Sequence, residues 1–231
     1  MSERADDILG GHRIGPKAGG PAKALVVLLH GYGADGQDLA GLAHPLGQAV
    51  PHAAFRAPNA PEPCRVNPMG RQWFPIPWID GASEQEMSTS FAASLALLYR
   101  FLDAAMAEEG VSAGETALVG FSQGTMMSLY AGPRRSGGVA GIVGFSGRLV
   151  GGETLAEEAK AKPPVLLVHG DRDEVLPVAC LEEARAGLAG AGFDVSAHVS
   201  PGTPHGIAPD GLGLARGFLA RYLPMAAAPT E

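Results

Sequence analysis

The chain has 231 residues, of which 46% are hydrophobic, and a formal net charge of −7. That length fits a single α/β domain with a sizeable core, and the apolar content excludes an intrinsically disordered chain. A mildly acidic sequence without basic runs is a poor partner for nucleic acid, and it lacks the Lys/Arg-rich face of a membrane-surface helix.

The N-terminus, Met1-Ser2-Glu3-Arg4-Ala5-Asp6-Asp7, is charged and has no apolar core of a secretory signal. No apolar run reads as long enough to cross a bilayer, so stable membrane insertion is not expected. The segment through Gly15-Pro16-Lys17 reads as an added edge strand. Ala24 to Leu29 is continuously apolar, the pattern of a strand buried on both faces. Gln37 to Val50 reads as a helix, and Ala53 to Ala57 as a weaker strand.

Pro58 to Asp80 fits neither pattern. It is proline-rich, which excludes central sheet, and it carries Cys64, Trp73, Phe74 and Trp78. Aromatic side chains on an irregular loop point to a lid or pocket wall. A long helix follows over Ser83 to Glu109, with Phe91, Leu95, Leu98 and Leu102 at three- and four-residue spacing and Gly110 as its stop.

The second half alternates strands and helices. Thr116 to Phe121, Ala140 to Phe145 and Pro164 to His169 read as buried strands; Asp194 to Val199 alternates, as an edge strand does. Gln123 to Ala131, Val178 to Ala191 and Asp210 to Tyr222 read as helices. This order implies a mostly parallel central sheet with right-handed crossovers and helices on both faces. Pro224 onward, rich in Ala and Pro, reads as a frayed tail. Cys64 and Cys180 are too few for a disulfide scaffold, and read as free thiols of a cytoplasmic protein.

The strongest chemical signal is Gly120-Phe121-Ser122-Gln123-Gly124, between a strand and a helix. That is the context of a nucleophile elbow, a sharp turn that exposes the serine at a helix N-terminus, and it points to an α/β-hydrolase fold. A serine hydroxyl needs a base oriented by an acid. In this fold both follow the serine, on loops after later strands. Of seven histidines, only His205 lies on a loop after the last strand. His198 lies within a strand, and His30 and His169 end strands, where loop hydrogen bonds are their expected role. Asp171 and Asp173 compete as the acid, and spacing alone does not separate them. A metal site built from His169, Asp171 and Asp173 lacks a second ligand cluster, so no metal or cofactor is expected. His30-Gly31-Tyr32-Gly33 ends an early strand where this fold supplies part of its oxyanion hole, placing the N–H groups of Tyr32 and Gln123 as donors.

Leu29-His30-Gly31-Tyr32-Gly33-Ala34-Asp35, Ala57-Pro58-Asn59-Ala60-Pro61, Trp73-Phe74, the elbow, His169-Gly170-Asp171-Arg172-Asp173 and Pro204-His205-Gly206 together resemble the phospholipase/carboxylesterase family of small α/β-hydrolases, over roughly residues 23 to 222. The family includes bacterial carboxylesterases and acyl-protein thioesterases. The resemblance implies that Asp173 rather than Asp171 completes a Ser122-His205-Asp173 triad, with Tyr32 standing where Leu is common. The family usually has Asp after the Trp-Phe pair; here Pro75-Ile76-Pro77-Trp78 follows. Trp73, Phe74, Trp78, Phe121, Phe145 and Leu176 are the candidates to line a substrate pocket. The expected activity is carboxylesterase hydrolysis of short- to medium-chain esters through an acyl-enzyme. The alternative is a thioesterase or lysophospholipase acting on long acyl chains. A non-catalytic binding protein is disfavoured by the intact Ser122, Asp173 and His205. The expected partner is a small-molecule ester, and the expected assembly a monomer or homodimer.

Overall fold

A computed structural model describes residues 3–224. The tail expected beyond Pro224 lies outside the described residues. A short helix α1 (Ala5–Ile8) leads into strand β1 (Gly11–Ile14), and β2 (Ala24–Leu29) follows. Two short helices, α2 (Gly36–Ala40) and α3 (Ala43–Leu46), precede β3 (Ala53–Pro58). A small ribbon of β4 (Glu62–Pro63) and β5 (Arg71–Gln72) and a one-turn helix α4 (Pro77–Asp80) occupy the proline-rich stretch. Then come α5 (Glu84–Glu109), β6 (Thr116–Phe121), α6 (Gln123–Arg134), β7 (Gly141–Phe145), α7 (Leu155–Glu158), β8 (Val165–Gly170), α8 (Ala179–Gly190), β9 (Val195–Ser200) and α9 (Pro209–Tyr222).

Seven strands form one sheet in the order β1-β3-β2-β6-β7-β8-β9. Only β1 runs antiparallel, on β3, so the expected edge strand is present at one margin. At the other margin β9 leaves Ser196, Ala197 and Val199 exposed, as an edge strand does.

The period of two explains how a continuous apolar run serves two layers. Leu25, Val27 and Leu29 of β2 face a core shared with α1, α5, α6 and α8. Val26 and Leu28 face the opposite core, closed by α2, α3 and α9. The sheet is therefore covered on both sides, and the strand ends that carry Ser122 and Gly170 share one edge of the sheet.

Local chemistry sets the helix ends. Ser83 caps α5 with a capping box: Glu86 N donates to Ser83 Oγ at 3.2 Å, and Ser83 N donates to Glu86 Oε2 at 2.8 Å. Gly110 ends α5 at φ 68°, the left-handed conformation that suits glycine.

Two readings from sequence are corrected. The single helix over Gln37 to Val50 is two short helices, because Gly41 ends the first and Gly47 the second. The absence of a span-length apolar segment also fails. By length and composition α5 is long and apolar enough to cross a membrane. Its apolar residues Leu98, Phe101, Leu102 and Ala105 are instead buried in the core of the sheet's α5 face.

Beneath the β1 edge lies a buried ion cluster. Arg56 of β3, only 3% exposed, donates to Glu109, Glu108 and Asp6, and Arg13 of β1 donates to both oxygens of Glu109. It fastens the N-terminal segment to the C-terminal end of α5.

Candidate active site

Ser122 follows β6 and immediately precedes α6. Its backbone sits at φ 52° and ψ −114°, strained for a residue with a Cβ. The strain is held by neighbours: Ser122 N donates to Phe145 O at 2.8 Å, and Thr125 Oγ1 donates toward Gly120 O and Phe145 O. The flanking glycines are a steric requirement. A Cβ on Gly124 would lie 1.8 Å from Leu29 O, and one on Gly120 would lie 2.5 Å from the backbone of Gly124 and Thr125. The Ser122 hydroxyl makes no hydrogen bond among the described residues, a loose resting arrangement common in unliganded serine sites.

The loop after β8 carries Asp173, and the loop after β9 carries His205. His205 Nδ1 lies 2.7 Å from Asp173 Oδ2. The other oxygen, Oδ1, accepts from Val175 N at 2.9 Å and Leu176 N at 2.8 Å. Burial by itself would raise the Asp173 pKa, but the hydrogen bonds from His205, Leu176 and Val175 outweigh it and hold the carboxyl below its ordinary value. An ionised Asp173 requires the proton on His205 Nδ1, which leaves the Nε2 lone pair free to accept. The His205 ring packs against Phe121, centroid to centroid at 4.9 Å, which brings it over the residue next to Ser122. Asp171 is exposed and takes no part in this pairing.

Tyr32 N and Gln123 N, the two amides placed by sequence as oxyanion donors, have no acceptor among the described residues. The Gln123 side chain is fully buried: Oε1 accepts from Trp73 N and Nε2 donates to Phe74 O, both at 2.8 Å. The Tyr32 hydroxyl donates to Asp80 Oδ2 at 2.7 Å. Burial, and then the bond to Asp80, push the Tyr32 phenol far above its usual pKa. His30 fixes the start of the loop: its Nε2 accepts from Ala60 N at 2.9 Å, and its carbonyl accepts from Trp73 Nε1 at 3.0 Å. His169 likewise serves a loop, its Nε2 lying 2.9 Å from Leu176 O. His198, on β9, pairs with Asp210 at 2.7 Å.

An open groove of about 590 Å3 is lined by Phe74 and by Met126, one helical turn after Ser122. Its apolar walls include Trp78, Phe91, Tyr130 and Leu149, and Arg148 and Glu153 add charged groups to its lining. Phe74 and Trp78 thus line a cavity as expected, and Trp78 is 64% exposed on its rim. Three other expected lining residues do not. Trp73 is fully buried because its indole N–H is spent on His30 O. Phe145 faces the core on the α9 side, because its place in β7 points it away from the groove. Leu176 is buried beside Asp173, where its backbone serves the carboxylate and His169. Phe121 packs on His205 and lines a separate, smaller hollow of about 200 Å3 with Leu39, Leu42 and Ile207. Phe91 and Tyr130 read in sequence as ordinary helix residues; their edge-on ring contact at 4.8 Å depends on α5 and α6 lying side by side.

The sequence model of the phospholipase/carboxylesterase family matches residues 14–223. The chain belongs to that family. Esterase YpfH of Escherichia coli (strain K12) is 29% identical over 187 residues, covering 81% of this chain and 78% of that protein. Acyl-protein thioesterase 1 of Gibberella zeae is 29% identical over 215 residues, covering 87% and 91%. Among solved structures, esterase PE8 superposes with a TM-score of 0.87 at 42% identity, covering 93% of this chain and 99% of that one. The phospholipase/carboxylesterase from Dyadobacter fermentans gives 0.71 at 28% identity, over 90% and 94%. The α/β-hydrolase fold and the assignment as a carboxylic ester hydrolase rest on these matches together with the sheet described above.

Proposed function

We propose that this family member is a serine carboxylesterase acting on short- to medium-chain esters, with Ser122, His205 and Asp173 as its triad. The observation that carries the proposal is the Asp173–His205 pair beside a strained elbow serine. One carboxylate oxygen is saturated by two backbone N–H groups, and the other faces His205 Nδ1 at 2.7 Å, with His169 Nε2 farther off at 3.2 Å. In the first step Ser122 Oγ attacks the ester carbonyl carbon while His205 Nε2 takes its proton. The oxyanion is held by Tyr32 N–H and Gln123 N–H, and the alcohol leaves with the proton from His205. Water then attacks the acyl-enzyme with His205 as base, and the acid is released.

The groove offers apolar walls for the acyl part of an ester next to α6, with Arg148 and Glu153 also in its lining. A cytoplasmic location fits two cysteines that are both unpaired. The test is a series of p-nitrophenyl esters of rising acyl length, run on wild type and Ser122→Ala. A rate maximum at short to medium chains, lost in Ser122→Ala, is expected. A maximum at long acyl chains would instead favour a thioesterase or lysophospholipase.

A further inference from the structure

Tyr32 is the residue whose backbone must stay unbonded if its N–H is to meet an oxyanion. Its neighbours are tied down. Gly33 N donates to Arg71 O at 2.9 Å, Arg71 N donates to Ala34 O at 2.7 Å, and Asn67 Nδ2 donates to Gly33 O at 2.8 Å. Among the described residues neither the N–H nor the carbonyl of Tyr32 has a hydrogen-bond partner. What holds residue 32 is its side chain, through the phenol's 2.7 Å bond to Asp80 and a further contact with the Cys64 thiol.

Asp80 is itself fixed. Its Oδ2 also accepts from Ile76 N at 3.0 Å, and its Oδ1 accepts from Ala82 N at 2.9 Å. The second oxyanion donor is anchored to the same stretch, because the Gln123 side chain bonds Trp73 N and Phe74 O. Both donor residues are therefore pinned through their side chains to residues 73–80. A preorganised donor is worth more than a mobile one, because it needs no rearrangement as charge develops.

We propose that Tyr32 and Asp80 form a positioning pair that holds the Tyr32 amide in the oxyanion hole, acting on turnover without touching substrate. The proposal rests on the triad and oxyanion reading given above. It assigns the proline-rich wall a role in the chemistry as well as in shaping the groove.

The test uses the full-length enzyme and four variants: Tyr32→Phe, Asp80→Asn, the double variant, and Ser122→Ala. Tyr32→Phe removes one oxygen atom and keeps the ring packing, so it is the variant that decides. The readouts are kcat and KM for p-nitrophenyl butyrate, and the Ki of an alkyl trifluoromethyl ketone, which forms a tetrahedral oxyanion on a serine. Tyr32→Phe is expected to lower kcat about tenfold with KM changed less than about twofold, and to raise Ki by the same factor as kcat falls. The double variant should be no worse than Asp80→Asn alone, since the Tyr32–Asp80 bond is the one interaction the two changes share. A stabilising contact with no positioning role would lower the melting temperature and leave kcat and Ki in place. Tyr32→Phe within about twofold of wild type in both kcat and Ki overturns the pair, whatever its melting temperature. If Asp80→Asn does not fold, Tyr32→Phe still decides. Activity surviving in Ser122→Ala would remove the serine reading, and this proposal with it. A Ser122-dependent enzyme indifferent to Tyr32→Phe removes the positioning pair alone.

Discussion

Asp173→Asn isolates the orienting acid, because the structure dictates which way the amide must face. Oδ1 of Asp173 accepts from two backbone N–H groups, of Val175 and Leu176. An asparagine NH2 cannot face those donors, so the amide oxygen must take that place. The NH2 then points at His205 Nδ1, 2.7 Å from where Oδ2 stood. A donor there forces Nδ1 to accept, which moves the proton to Nε2. Nε2–H cannot take the Ser122 proton. The same inversion of tautomer in a serine-protease triad lowers kcat about 10⁴-fold, equivalent to about 5.5 kcal/mol of transition-state stabilisation. We expect a loss of that order in steady-state hydrolysis of p-nitrophenyl butyrate. KM should change little, because Asp173 lies outside the groove. Circular dichroism should stay native, because the two backbone bonds survive. A loss smaller than about tenfold would refute the orientation argument.

Three further outcomes follow from other parts of the molecule. Ser122→Ala should lower hydrolysis by about 10⁴-fold or more and abolish covalent labelling by a fluorophosphonate, read by intact-protein mass spectrometry. Gly124→Ala puts a methyl 1.8 Å from Leu29 O, and should cost about 3 kcal/mol or more in urea unfolding, or prevent folding outright. Glu109 is pulled upward by burial, but hydrogen bonds from Arg13 and Arg56 hold it below its ordinary value of 4.5. A carboxyl depressed in the folded state contributes stability above its unfolded pKa and loses it as pH falls through the folded value. Stability should therefore decline with acid from about pH 4.5 downward, and the decline should be shallower in Glu109→Gln. That variant should also lose about 2–3 kcal/mol near neutral pH, since Arg56 stays buried with Glu108 and Asp6 as its remaining anionic partners.

Features set by local chemistry were legible in the residues. The elbow can be read because Gly120 and Gly124 are needed within two residues of Ser122, and a five-residue steric requirement leaves a five-residue signature. The stop at Gly110 marked the end of α5 for the same reason. The alternation in β9 foretold its place at the sheet edge. Composition failed where two demands share one pattern. α5 is apolar enough for a membrane yet packs on a sheet, and aromatic residues such as Trp73 and Phe145 look alike whether they line a pocket or fill a core.

The order along the chain of strand, elbow serine, the Asp171/Asp173 loop and the His205 loop was therefore legible in the residues. Tertiary structure decided the rest. It sets Asp173 Oδ2 against His205 while Oδ1 takes two backbone N–H groups, and it buries Trp73 and Phe145. It brings Phe91 against Tyr130 to wall the groove, and it closes the bond from Tyr32 to Asp80 across 48 residues. The physical reason is range. Backbone strain and capping act within a few residues and must be written there, whereas hydrogen bonds and packing between distant segments exist only once the chain has folded.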